Sequence, residues 1–358
     1  MKVGIIGNGL TSLSLAKILV NMGINVDIYS NFIYEKIDRN RTLSISKDNL
    51  DFFNLSISNI NKFSWKINKI EIFSENLKNE KILNFDNNQK ELFSIIKNHK
   101  LIDQLKIELK SKKLFKLKKI SKIDEERLRK NYNLIINCDP KNFISKKYFF
   151  NKTNKNYNSY AYTTIINHKR YENNNTAIQI FTKNGPLAFL PISDHKTSVV
   201  YSIRNFKKIN FENLLGKYNT RYSIIKINDI SKYELKSWNL RSYYNKNILG
   251  FGDILHKLHP LAGQGFNMTI RDIKLLSNLI KLRMNNGLEI DSSICQEFEK
   301  KIKHKNFLFS SGIDFVYEFF HLESSFNNSF LSKSVQFIGK NKNFSKFLTK
   351  FEDTGLHT

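Results

Sequence analysis

The chain has 358 residues, with 58 Lys and Arg against 32 Asp and Glu, for a formal charge of +26. That length suits two domains, or one large α/β domain with an insertion. Two cysteines, Cys138 and Cys295, exclude a disulfide framework and point to a reducing cytoplasm. The lysines are scattered among Asn and Ile, as in Asn151 to Asn158, and form no basic face studded with aromatics. This argues against nucleic acid and leaves attraction to an anionic membrane face. No stretch is long and apolar enough to span a bilayer, and Gly7-Asn8-Gly9 interrupts the N-terminal apolar run where a signal peptide would need it intact.

The chain opens on an apolar strand, Val3 to Ile6, followed by a glycine turn, a helix ending at Gly23, and a second strand, Val26 to Tyr29. In the turn, Gly7 permits the tight bend and Gly9 lets a pyrophosphate approach the helix that Leu10 opens. Ser12, where a third glycine is usual, is small enough for close helix–strand packing. This strand–helix–strand context makes dinucleotide binding the expected role. Ser30 ends the second strand where an acid would hold a ribose, and its hydroxyl can do so without a carboxylate's strength.

Arg41 to Ile45 comes next, and a helix is expected from Asp48 to about Asn61. Trp65 to Ser74 and Lys81 to Phe85 read as a hairpin-like pair of strands. A helix is expected over Ser94 to Leu109, then a buried strand, Leu134 to Asn137, ending in Cys138-Asp139-Pro140. From Tyr160 the pattern turns to strands: Tyr160 to Ile166, Thr176 to Phe181, Leu187 to Pro191 and Thr197 to Ile203. A helix near Phe211 to Tyr218 and an extended pair, Ile224 to Ile227 and Glu234 to Leu240, follow.

Ile248 to Leu276 then combines a short strand, Gly252-Asp253, a loop with Pro260, Gly263 and Gly265, and an amphipathic helix from about Phe266. Asp253 can accept hydrogen bonds from ribityl or ribose hydroxyls. The two loop glycines admit a flat ring close to the backbone, and the helix start offers N–H groups to negative charge. His256 and His259 stand three apart without a carboxylate or cysteine cluster, so no metal site is expected. Helices dominate thereafter, and Phe309, Gly312, Ile313, Val316, Phe319 and Phe320 share a face that is either core or a lipid- or partner-facing surface.

Together these motifs resemble the ubiquinone-biosynthesis hydroxylases (the UbiH/UbiF type) of the p-hydroxybenzoate hydroxylase fold. The matching residues are Gly7, Gly9, Ser12, Arg41 and Asp139, the run GPLAFLP from Gly185 to Pro191, and Gly252-Asp253 with His256, Pro260, Gly263-Gln264-Gly265, Asn267 and Asp272. Order and spacing agree over nearly the whole chain. Ser30, Pro140 in place of a glycine after Asp139, Lys146 in place of a following arginine, and Lys100 near an arginine position depart from the pattern.

The resemblance implies an α/β fold: a Rossmann-like FAD-binding domain (1–150 and 238–300), an inserted, mostly antiparallel β-sheet substrate domain (151–237) and a helical C-terminal segment (301–358). It implies FAD, with NADH or NADPH as reductant, and transfer of one oxygen from O₂ to the ring of a polyprenylated phenol. FAD contacts are expected at Gly7, Gly9, Leu10, Ser12, Ser30, Arg41, Asp253, Pro260, Gly263, Gln264, Gly265, Phe266 and Asn267. Substrate walls are expected at Leu187, Phe189 and Pro191, with no metal. Such chemistry belongs to the cofactor, so no side chain is singled out as catalytic. The expected setting is cytoplasmic and peripheral at the inner face of the membrane, with other ubiquinone-biosynthesis proteins as partners. A non-catalytic FAD-binding subunit, a same-fold flavin reductase acting on isoprenoids and a simple NAD-dependent dehydrogenase are the alternatives. The last leaves the Gly252-Asp253 and Gly263-Gln264-Gly265 segments unexplained.

Overall fold

The computed structural model describes residues 1–30, 38–77, 80–86, 90–120, 124–204, 209–259 and 263–326. Strands and helices are numbered in chain order. The chain begins with β1 (Lys2–Ile6), α1 (Leu10–Asn21) and β2 (Asn25–Ser30), the expected strand–helix–strand unit. A six-stranded sheet runs in the order β16 (Tyr244–Asn245), β17 (Ile248–Gly250), β9 (Leu134–Asn137), β1, β2, β8 (Phe115–Lys119). All its pairings are parallel except β16 with β17. Val3, Ile5, Ile28, Leu134, Ile135 and Leu249 are all fully buried, as strands covered on both faces require. β1, β2, β9 and β17 therefore bring Ile6, Ser30, Asn137 and Gly250 to one edge, where open α/β sheets bind ligands.

The second sheet has nine strands. Its path runs β18 (His256–Lys257), β15 (Ser231–Leu240), β10 (Lys152–His168), β13 (Lys196–Arg204), β12 (Gly185–Ser193), β11 (Thr176–Thr182), β5 (Lys69–Ser74), β6 (Glu80–Asp86), with β14 (Ile224–Ile227) paired to β10. It is antiparallel except where β11 meets β5 in parallel, Thr176 opposite Lys69. A division at 150 thus misses β5 and β6, which precede that point in the chain and belong to this sheet. The expected hairpin splits for the same reason: β5 and β6 pair, whereas Ser64 to Ile67 forms β4 elsewhere.

A three-stranded sheet of β3 (Thr42–Ser46), β7 (Phe93–Lys97) and β4 (Ser64–Ile67) joins the two larger ones. Ser94 to Ile96, expected as helix, lies in β7. Buried Ile95 and Ile96 are β-branched, and the strand bonds to a neighbour on each side, which outweighs the helical pattern. The helix α3 (Asn98–Lys110) starts only beyond it, and α2 (Lys47–Ser56) ends short of Asn61. Two short helices, α4 (Glu125–Asn131) and α5 (Phe143–Tyr148), flank β9. Elsewhere α6 (Phe211–Tyr218) covers one face of the nine-stranded sheet, and α7 (Gln264–Asn285) and α8 (Ser292–Phe326) close the C-terminal side. No described helix is long and apolar enough to cross a membrane.

Candidate cofactor and substrate site

The turn after β1 is shaped by two different glycine requirements. Gly7 has φ +104°, and a Cβ there would stand 3.3 Å from Asp139 Cβ and from Ser12 Oγ. Side chains rarely adopt that backbone, so Gly7 makes the turn possible. Gly9 instead has an ordinary φ of −73° as the N-cap of α1, and among the described residues nothing lies within 4 Å of where its Cβ would be. The space over the α1 N-terminus is open. Leu10 is half-buried and Ser12 fully buried, next to the Cys138 thiol, which burial pushes up to about 12. Such a thiol is no nucleophile. Ser30 sits buried at the end of β2.

Gly252, in the turn just past β17, has φ +62°, and a Cβ there would meet Thr11 Cγ2 at 2.8 Å. This packs the turn against α1 and leaves Asp253 exposed beside it, with its backbone carbonyl accepting a bond from Trp238 Nε1 at 2.9 Å. The carboxylate is thereby presented at the edge where β1, β9 and β17 end.

The Gly263–Asn267 segment divides into residues that open a surface and residues that anchor it. Gly263 is left-handed, φ +65°, and a Cβ there would overlap Ser44 Oγ at 2.0 Å. Asn267 is buried, takes bonds from Ser46 N (2.9 Å) and Asn49 Nδ2 (3.1 Å), and donates to Ser44 O (3.0 Å). Gln264 and Phe266 are buried too, Phe266 with its ring 6.3 Å from that of Phe53. The side chains of Phe266 and Asn267 therefore dock α7 on α2 and β3. Gly265, at the N-terminus of α7, has nothing within 4 Å of a Cβ among the described residues. Pro260 lies outside the described residues. Arg41 is exposed at the head of β3, and the adjacent Thr42 Oγ1 meets Ser198 Oγ of β13 at 3.0 Å.

Gly263→Ala is expected to destabilise the fold by roughly 2–4 kcal/mol, adding left-handed strain to the overlap with Ser44. Ser44→Ala in the same chain should recover part of that loss, because it removes the overlapping oxygen. Urea unfolding of both variants and the double variant measures the coupling; strictly additive losses would break the assigned contact.

Strand parity divides the residues of β12 between two faces. Leu187 (0 % exposed) and Phe189 (1 %) pack against Phe211 and Leu215 of α6. Pro191 shares their face by alternation. The opposite face carries Ala188, Leu190 and Ile192. Leu190 and Ile192 pack beside Trp65, Ile67, Phe93 and Ile95 of β4 and β7, and Leu190 is the register partner of Ser198, which reaches Thr42. Ala188 and Leu190 are thus on the face turned to the three-stranded sheet. Alternation was legible in the sequence, but which face α6 would cover was not.

The two histidines also part company. His256 Nε2 lies 2.6 Å from Asp272 Oδ2, both groups buried, while Asn306 Nδ2 donates to Asp272 Oδ1 at 3.0 Å. This set ties β18, α7 and α8 together. His259 is buried between Tyr317, stacked at 3.9 Å, and Tyr157, edge-on at 5.1 Å. Burial, helped by Arg204 and Lys155, pushes its imidazole down to about 3, so it is neutral. Among the described residues no three His, Cys, Asp or Glu side chains gather as a metal site. Sequence reasoning passed over Lys97, whose half-buried ammonium is pushed below its usual range by burial and by nearby Lys196 and Lys100.

No family model matches the chain. Among curated proteins it is 28% identical over 149 residues to the 3-demethoxyubiquinol 3-hydroxylase of Escherichia coli, covering 39% of this chain and 38% of that one. It is 21% identical over 273 residues to the ubiquinone biosynthesis monooxygenase COQ6 of Schizosaccharomyces pombe, covering 62% and 57%. The matched segments thus span 38% and 57% of these two relatives. Among solved structures, p-nitrophenol 4-monooxygenase PnpA from Pseudomonas putida superposes with TM-score 0.78 at 11% identity, over 99% of this chain and 98% of that one. Klebsiella pneumoniae HpxO, complexed with FAD and uric acid, does so with TM-score 0.75 at 11% identity, over 99% and 96%. In sequence the chain is a relative of the ubiquinone-biosynthesis hydroxylases, and its fold is that of the FAD-dependent monooxygenases.

Proposed function

We propose that the chain is an FAD-dependent monooxygenase that hydroxylates the ring of a polyprenylated phenol in ubiquinone biosynthesis, using NAD(P)H and O₂. The observation that carries this reading is a pair of open helix N-termini. Among the described residues, α1 at Gly9 and α7 at Gly265 each face space in which a Cβ would meet nothing within 4 Å. These are cradles that fit an extended dinucleotide: backbone N–H groups and helix dipoles meet a pyrophosphate at one and a ring with negative charge at the other. Gly7 and Gly9 would hold the pyrophosphate, Ser30 the adenosine ribose and Asp253 the ribityl hydroxyls. Bound there, FAD supplies the redox chemistry and the activation of O₂.

The remaining work falls to the chain. N–H groups at the start of α7 stabilise negative charge, and Asn267 with Ser44 and Ser46 fixes where those groups point. Ala188 and Leu190 press an aromatic substrate toward that edge and keep water out. Lys97, Lys100 and Lys196 offer positive charge to the phosphates of a nicotinamide dinucleotide. The substrate class is lipid and the net charge is +26, which supports work at the inner face of the membrane.

Purified protein should show flavin absorption, oxidise NADH or NADPH, and hydroxylate a short-chain prenylated phenol. Leu190→Gln should keep NAD(P)H oxidation while diverting most oxygen to H₂O₂, because a polar wall admits water. A variant as tightly coupled as wild type would reject the assigned wall. Protein that holds FAD yet is reduced by neither nicotinamide would favour the non-catalytic subunit, the reading to which Pro140 and Ser30 lend support.

A further inference from the structure

Apart from the cofactor edge, the described surface has an open cavity of about 740 Å³ between β15, β16 and the first half of α8. Arg241, Lys300, Lys303 and His304 line it, beside Tyr244 and Phe307. Its one acidic group, Glu299, is taken by Lys303 at 2.9 Å, which leaves Arg241, Lys300 and His304 without an ion pair among the described residues. Asn239 also lines it, and its Oδ1 is buried with no hydrogen-bond partner while its Nδ2 bonds Ser310. The cavity therefore offers cations to an anion and an acceptor to a hydroxyl.

The same helix continues outward as an apolar surface. Leu308, Phe315 and Leu322 are exposed (44, 67 and 51 %) and follow one another at intervals of seven, so they form a single stripe that begins beside Phe307. The expected stripe has been split by tertiary packing. Phe309 and Ile313 are buried against Leu258 and Met268, Val316 is exposed, and the Phe320 side chain lies outside the described residues.

We propose that this face of α8 is where the protein docks on a bilayer of anionic phospholipid. The cavity seats a phosphodiester headgroup, with Arg241 and Lys300 on the phosphate and Asn239 Oδ1 accepting from a headgroup hydroxyl. Leu308, Phe315 and Leu322 enter the acyl boundary. The inference rests on the membrane-surface reading above and names the surface that performs it. Cation-lined headgroup site, adjoining apolar stripe and chain-wide positive charge are the complement of one occupant, a negatively charged lipid surface.

The test is co-sedimentation with phosphatidylcholine vesicles containing about 30% phosphatidylglycerol, at low salt, with flavin content and far-UV circular dichroism as fold controls. Wild type should sediment with these vesicles and not with pure phosphatidylcholine. The pair Arg241→Glu with Lys300→Glu should weaken binding on the order of tenfold or more, since each reversal replaces attraction by repulsion near the surface. Phe315→Ser should also weaken it and abolish the fraction that survives high salt. Variants that bind like wild type would overturn the α8 assignment while the membrane reading stands. Wild type that fails to sediment would overturn both. If inorganic phosphate displaces the protein fully and Phe315→Ser changes nothing, the cavity takes a soluble anion and the lipid proposal falls.

Discussion

Gly9→Val is expected to fold normally and purify without flavin. Gly9 has φ −73°, a backbone that valine adopts readily, and its Cβ would project into space with no atom of the described residues within 4 Å. Nothing in the fold resists the substitution. What resists it is the ligand: the branched side chain occupies the volume above the α1 N-terminus, where a pyrophosphate must come within hydrogen-bond distance of the N–H groups. Replacing that approach by van der Waals overlap should lower FAD affinity by roughly 10³-fold or more, which is about 4 kcal/mol. The absorption spectrum of the purified variant, beside its unfolding curve without added flavin, reads both halves of the claim. Normal flavin content would remove Gly9 from the site. Gly7→Val serves as the contrast, because φ +104° and the nearby Asp139 make that substitution a folding defect.

Asp272→Ala is expected to cost about 3–5 kcal/mol of stability, measured on flavin-free protein so that cofactor loss does not contribute. Asp272 is 0 % exposed and takes His256 Nε2 at 2.6 Å and Asn306 Nδ2 at 3.0 Å. Removing the carboxylate leaves both partners buried without an acceptor, and burying a polar group unpaired is more costly than the lost bond itself. Asp253→Ala, nineteen residues earlier in the same motif, should do the reverse. Its exposed side chain supports no described fold contact, so stability should change little and flavin affinity should fall. A stability loss of similar size in both variants would contradict this division of labour.

The first strand–helix–strand unit was legible because its information is local. An apolar run, a glycine turn and a helical period lie within Met1 to Ser30, and β1, α1 and β2 follow them closely. The strand β17 before Asp253, α6, and most strands of the large sheet were legible for the same reason: alternation and turn residues are set by neighbours in sequence. So was the spacing of the glycines that end at the two open helix N-termini.

What only the tertiary structure decided depends on partners far away in the chain. Phe93 to Lys97 is strand instead of helix because β3 and β4 supply hydrogen bonds on both sides. β5 belongs with β11, more than a hundred residues later, because parallel pairing needs a long crossover. Leu187 and Phe189 pack under α6 and Leu190 packs beside β4 and β7 because α6 covers one face of β12. Asn267 anchors a loop because Ser44 and Ser46 come to meet it, 223 and 221 residues away. Periodicity can state that a residue faces one side, but burial and hydrogen-bond satisfaction depend on what arrives at that side, and that is fixed only when the chain closes on itself.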